Sequence, residues 1–206
     1  FATSDPSSPL ATNEGWSSNS GDGRELGAFA LADASQDAVI RREFGSAPFT
    51  AQVLPRTGTD PGVALVEIYD ANTGDLGSRL TNLSARTGLN ADSDVTVGFV
   101  IAGNSPRTVL VRAIGPGLAA FGVDGTLTDP KITLNRETTP EAGNDDWNGS
   151  SLIRAAAEKV GAFALDSTSR DAALLTTLPP GSYTARVTAP AGQSGIVLVE
   201  VYLVEE

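Results

Sequence analysis

The sequence predicts an all-β protein: an antiparallel β-sandwich or jelly roll with one short helix, built from one and a half copies of a repeat unit. Three observations carry this reading. Short β-branched runs alternate with turns rich in glycine and proline, of which the 206 residues hold 22 and 12. A series of motifs occurs twice at a spacing of 131 to 134 residues. Only one stretch, Leu152 to Val160, has the composition and flanking caps of a helix.

The strands are read first. Val95 to Ile101 and Thr108 to Ile114 are short, β-branched and bounded by Gly, Asn and Pro. Lys131 to Leu134, Ala172 to Leu178, Ser182 to Thr188 and Ile196 to Val204 follow the same pattern. In the last run, Val197, Val199, Val201 and Leu203 form an apolar face, while Ile196, Leu198, Glu200 and Tyr202 form a mixed one. Pro179-Pro180-Gly181-Ser182 is a turn signal, because Pro fixes φ and Gly supplies conformational freedom. The helix is expected to start from a cap at Ser150 or Ser151 and to stop at Gly161, as a cover on the sandwich.

The repeat sets the domain organisation. Asn13-Glu14-Gly15-Trp16 matches Asn144-Asp145-Asp146-Trp147, and Gly27-Ala28-Phe29-Ala30-Leu31 matches Gly161-Ala162-Phe163-Ala164-Leu165. Ser35 and Asp37 match Ser169 and Asp171, and Phe49 to Val53 matches Tyr183 to Val187. Gly62 to Tyr69 matches Gly195 to Tyr202. Residues 78 to 137 have no counterpart. The reading is therefore a tail over 1–11, the back half of a unit over 12–75, and a complete unit over 78–206. The half unit shortens the helical stretch to a polar loop, Ser17 to Arg24. With no Met in the sequence, a processed form or a fragment of a longer protein is expected.

Composition narrows function. The net charge is −11, which opposes nucleic acid and anionic membrane surfaces, since phosphate binding needs clustered Lys and Arg. No apolar run approaches the ~18 residues of a bilayer span. The absence of Cys removes disulfides and thiolate metal sites, and the absence of His removes His-based triads and His-ligated zinc. Such a chain suits an extracellular, cell-surface setting and is not expected to be an enzyme. A carboxylate pair could run glycoside hydrolysis without His, but the recurring acids sit in turn-like settings in both copies.

The run Ala172 to Val187, closed by Gly195 to Tyr202 and preceded by Asn144-Asp145-Asp146-Trp147, resembles bacterial pre-peptidase C-terminal-like domains. Arg112-Ala113-Ile114-Gly115-Pro116-Gly117-Leu118, with the later Gly-Ala-Phe-Ala-Leu, looks like a repeat of large secreted proteins in Verrucomicrobia-type bacteria. The resemblance implies a non-catalytic jelly-roll appendage, some examples of which bind Ca²⁺ or polysaccharide.

Candidate sites are few. Asn144, Asp145 and Asp146 offer hard oxygen ligands to calcium, the one candidate cofactor, against the plainer reading of an Asx-rich loop. Trp16 and Trp147 are candidate sugar-stacking rings, against the plainer reading of core residues. Gly115-Pro116-Gly117-Leu118-Ala119-Ala120 matches Gly-x-Gly-x-x-Ala, but the following glycines and Pro130 forbid the helix a dinucleotide needs, so it reads as a strand-ending turn. The expected function is structural: a subunit of a surface array or filament that self-associates with identical copies by β-strand complementation. The alternative is a carbohydrate- or calcium-binding accessory module, with polysaccharide as partner.

Overall fold

The computed structural model describes residues 9–16, 23–33, 35–57, 62–72 and 79–205. Most of the expected N-terminal tail, and residues 17–22 of the expected polar loop, lie outside the described residues. The chain divides into two compact units, Phe1–Arg79 and Leu80–Glu206.

The second unit holds eight strands: β1 (Asn82–Leu89), β2 (Asp94–Ile101), β3 (Arg107–Ile114), β4 (Lys131–Arg136), β5 (Thr139–Asn144), β6 (Ala172–Leu178), β7 (Gly181–Thr188) and β8 (Gly195–Val204). They form two four-stranded antiparallel sheets, in the orders β1-β8-β3-β6 and β2-β7-β4-β5. This is the jelly-roll arrangement, a long two-layered ribbon rolled on itself. The ribbon β1 to β4 lies along the ribbon β8 to β5, so that β1 pairs with β8, β2 with β7, β3 with β6 and β4 with β5. Rolling adds β3 beside β8 and β4 beside β7. Every one of these pairings joins a front strand, β1 to β4, to a back strand, β5 to β8.

The core lies between the sheets. Val109, Val111 and Ala113 of β3 and Val197, Val199 and Val201 of β8 face Ile132 and Leu134 of β4 and Tyr183, Ala185 and Val187 of β7. These are the alternate positions the sequence assigns to an apolar face. The opposite face of the first sheet, mixed in sequence, is covered as well. Helix α1 (Ser151–Lys159) lays Ile153, Ala156 and Ala157 against Leu110, Leu175 and Tyr202. Ser150 caps it by accepting from the Ile153 N–H at 3.4 Å, and Gly161 takes a left-handed φ of 72° just beyond its end.

The first unit is different. Its described residues contain one 3₁₀ turn, Arg24–Leu26, and no strand, although they include the counterparts of β6, β7 and β8. Phe49 is 47 % exposed where its counterpart Tyr183 is 2 % exposed, and Val53 is 59 % exposed where Val187 is fully buried. No helix among the described residues is long and apolar enough to cross a membrane.

Close backbone packing fixes the roll at Gly115. A Cβ there would lie 2.1 Å from the Leu127 carbonyl oxygen, whereas one at Gly88 would meet nothing within 4 Å. Gly115→Ala is therefore expected to destabilise the second unit by roughly 3 kcal/mol, and Gly88→Ala to change it by less than about 0.5 kcal/mol. Urea denaturation midpoints of the two variants check this.

Candidate functional site

The polar chemistry of the second unit is concentrated where β3 ends. Arg112 and Glu200 stand directly opposite in the β3–β8 register, on the sheet face that the helical segment covers. They are 1 % and 3 % exposed. The guanidinium donates to Glu200 Oε2 through Nε at 2.8 Å and Nη2 at 2.5 Å, and to the Phe163 carbonyl through Nη1 at 2.6 Å. Its carbon sits 4.5 Å from the centre of the Phe163 ring. The Tyr202 hydroxyl donates to the other carboxylate oxygen, Glu200 Oε1, at 2.9 Å. Burial, with the Glu200 carboxylate next to it, pushes the Tyr202 phenol well above its ordinary value.

Just beyond β3, the Gly-Pro-Gly turn wraps an anion. The N–H groups of Gly115 and Gly117 point at the fully buried carboxylate of Asp171, at 2.8 Å and at 3.1 and 3.2 Å. The Ser169 hydroxyl donates to the same carboxylate at 2.7 Å. A Cβ on Gly117 would be 2.8 Å from Asp171 Oδ2, so only glycine lets the backbone come this near. The turn continues as a 3₁₀ helix, Pro116–Phe121, closed by Gly122. The place a phosphate takes in the dinucleotide fingerprint is filled by the chain's own carboxylate.

Trp147 is 3 % exposed. Its indole N–H donates to the Asp166 carbonyl at 2.9 Å and to Ser169 Oγ at 3.2 Å, and the Arg154 guanidinium lies 5.8 Å over its ring. It offers no free face to a sugar; it is a core ring tied to the loop that leads from the helix to β6. Trp16 is half-buried, with its indole N–H donated to the Ala32 carbonyl at 3.0 Å.

The three calcium candidates are largely engaged with protein. Asn144 Oδ1 accepts from the Ala173 N–H and its Nδ2 donates to the Asp146 carbonyl, both at 2.9 Å. Asp145 lies 3.6 Å from Lys131 Nζ. Asp146 Oδ1 is left as the one buried side-chain oxygen without a partner among the described residues. One such oxygen falls far short of the six to eight ligands of Ca²⁺, and no group of three or more acidic side chains assembles among the described residues.

The first unit repeats some of this network. Trp16 N–H donates to the Asp37 carbonyl at 2.7 Å, as Trp147 N–H does to that of Asp171 at 2.9 Å. Asn13 Oδ1 accepts from the Val39 N–H at 3.3 Å, matching Asn144 and Ala173. Ser35 donates to Asp37 Oδ2 at 2.8 Å, and Tyr69 to Glu67 Oε1 at 3.1 Å. Sequence reasoning alone does not single out Arg112 and Glu200 as partners. The available signal is one unpaired charge inside each apolar strand, Arg112 within Thr108 to Ile114 and Glu200 within Ile196 to Val204.

Fold and network together define a jelly-roll β-sandwich with a buried ion pair and an internal carboxylate at its ribbon junction. No family model matches the sequence, and no curated protein matches it. Two similar solved structures are the pre-peptidase C-terminal domain of a collagenase from Bacillus anthracis and a family 35 carbohydrate-binding module from Clostridium thermocellum. The first is 13 % identical with a TM-score of 0.37, covering 59 % of this chain and 89 % of its own. The second is 16 % identical with a TM-score of 0.23, covering 59 % and 70 %.

Arg112→Ala leaves the Glu200 carboxylate buried without its guanidinium and is expected to cost roughly 3–5 kcal/mol, whereas Arg112→Met with Glu200→Leu should recover most of that loss. Guanidinium chloride unfolding of the three proteins measures both. The raised phenol of Tyr202 stabilises the fold while protonated. Its contribution is fully present below about pH 10 and is lost as pH rises through the folded-state value. Tyr202→Phe should flatten the fall in stability above about pH 10, seen in denaturation midpoints taken on either side of that pH.

Proposed function

We propose that the chain is a non-catalytic, extracellular structural module in which residues 12–75 act as an acceptor for β-strand complementation. The observation that carries this is the pairing rule of the complete unit. Every strand pair there joins a front strand to a back strand, so back strands never pair with one another. The first unit holds counterparts of back strands only, and its described residues contain no strand. Phe49 and Val53 are exposed, whereas their counterparts Tyr183 and Val187 are buried between the sheets of the complete unit.

Stoichiometry weighs against completion by an identical copy alone. Each copy carries one front ribbon and the equivalents of two back ribbons, so copies of these 206 residues alone leave one acceptor per chain unfilled. The supplier we propose is a front ribbon of the same repeat type. Alternating sockets and complete sandwiches would then build a surface array or filament. A carbohydrate- or calcium-binding role has less support, because Trp147 is enclosed and Asn144 and Asp145 are engaged.

A chain in which the sequence of residues 80–143 is placed directly before Asn13 supplies the front ribbon in register. Its strand signal in circular dichroism should be roughly double that of the present chain. Amides of residues 38–44, 47–54 and 62–71 should become protected from hydrogen exchange. An unchanged strand signal, with those amides still open, would refute the acceptor reading.

A further inference from the structure

The contacts that bind the two ribbons of the complete unit fall into an exposed set and a buried set. Exposed pairs are Arg186 with Asp94, Arg170 with Asp129, and Thr108 with Thr177. In the first unit the counterparts of the back-ribbon members are Gln52, Gln36 and Glu43, which make none of these pairs possible in the same form. The buried set is kept whole. Glu200, Tyr202 and Phe163, which enclose the Arg112 guanidinium, are matched by Glu67, Tyr69 and Phe29. Asp171 and Ser169, which receive the Gly-Pro-Gly turn, are matched by Asp37 and Ser35.

Both carboxylates of the first unit already carry the hydroxyl partner they would need. Tyr69 donates to Glu67 as Tyr202 does to Glu200, and Ser35 donates to Asp37 as Ser169 does to Asp171. Among the described residues neither Glu67 nor Asp37 meets a guanidinium or an ammonium group. The groups absent from around them are the ones the front ribbon brings to Glu200 and Asp171: one arginine side chain and two glycine N–H groups.

We propose that the first unit is a selective socket whose ligand is an extended apolar segment carrying Arg-x-x-Gly-Pro-Gly. The arginine pairs with Glu67 against Tyr69 and Phe29, and the N–H groups of the turn close on Asp37. The inference rests on the acceptor reading and adds the means of recognition to it. A segment without the arginine buries Glu67 unpaired, and one with a side chain at the second glycine meets the Asp37 carboxylate, as Gly117 would meet Asp171. A second copy is not the occupant. Its own Arg112 is enclosed in β3, between β8 and β6, and lending that strand opens one sandwich to close another.

The test uses the chain with the appended front ribbon, whose complete unit serves as an internal reference. Glu67→Gln should lower the closing equilibrium of the acceptor by roughly a hundredfold or more. Asp37→Asn should lower it by roughly tenfold to a hundredfold, as expected for a carboxylate that loses charge-assisted bonds to backbone N–H groups. Both are read from hydrogen exchange over residues 38–71, with the complete unit unchanged. Replacing the appended arginine by Glu should open the acceptor, and combining it with Glu67→Arg should close it again. If the appended chain never gains strands, the acceptor reading itself fails. If it gains them but ignores Glu67→Gln and Asp37→Asn, the ribbon is accepted without this recognition and the present inference is overturned. Light scattering of the unappended chain should give a monomer at every concentration; association abolished by Glu67→Gln would overturn the choice of occupant in favour of a second copy.

Discussion

The structure depends on one constraint: strand pairing runs only between the two ribbons and never within one. A ribbon by itself has no sheet, because its strands are separated by the width of the strands that belong between them. The core follows from the same rule, since the facing valines of β3 and β8 come from opposite ribbons. Such a fold is a single cooperative object whose halves cannot be stable apart. One unit holds eight strands, and the described residues of the other hold none.

Within that frame the buried polar groups act as pins for register. Arg112 and Glu200 face each other across β3 and β8 on the covered face, among alanines and leucines of the helical segment and sheet. A slip by one residue would turn the arginine into the apolar space between the sheets, where no carboxylate waits. The desolvation of such a pair largely offsets its attraction, so its main effect is to penalise wrong alignments. Asp171 performs the same service at the turn. Its carboxylate fixes the point at which the chain leaves β3, and the glycines are the consequence of how near the backbone must pass.

Much of the fold is legible in the sequence because alternation is a strong signal wherever one side of a strand meets the core. β2, β3, β4, β6, β7 and β8 begin and end within about two residues of the apolar runs that predict them. β1 and β5 carry no such signal, for a physical reason: almost none of their side chains is buried. Of β1 only Leu89 is buried, and β5 is Thr-Pro-Glu-Ala-Gly-Asn with a register irregularity opposite Leu134 and Asn135. Their pairing comes from the neighbouring strand rather than from their own side chains. The mixed face of β8 misleads in the same way. Periodicity places Glu200 toward water, and only the helical cover, a tertiary feature, encloses it. The recurring tryptophans, acids and serine are visible as a repeat, but their roles need the geometry that turns Trp147 inward and aims two N–H groups at Asp171.

The pairing of the first and last strands has a mechanical meaning. Asn82, at the start of β1, stands opposite Tyr202, near the end of β8, so the chain enters and leaves the sandwich side by side at one end of the same sheet. Tension applied through those two points acts across the strands, along the direction of their hydrogen bonds. The β1–β8 ladder would then open bond by bond, like a zip, rather than resisting as a block in shear. A series of such units would behave as a set of extensible links that yield from one edge, keeping Arg112 and Asp171 locked in the interior until the outer strand has peeled away.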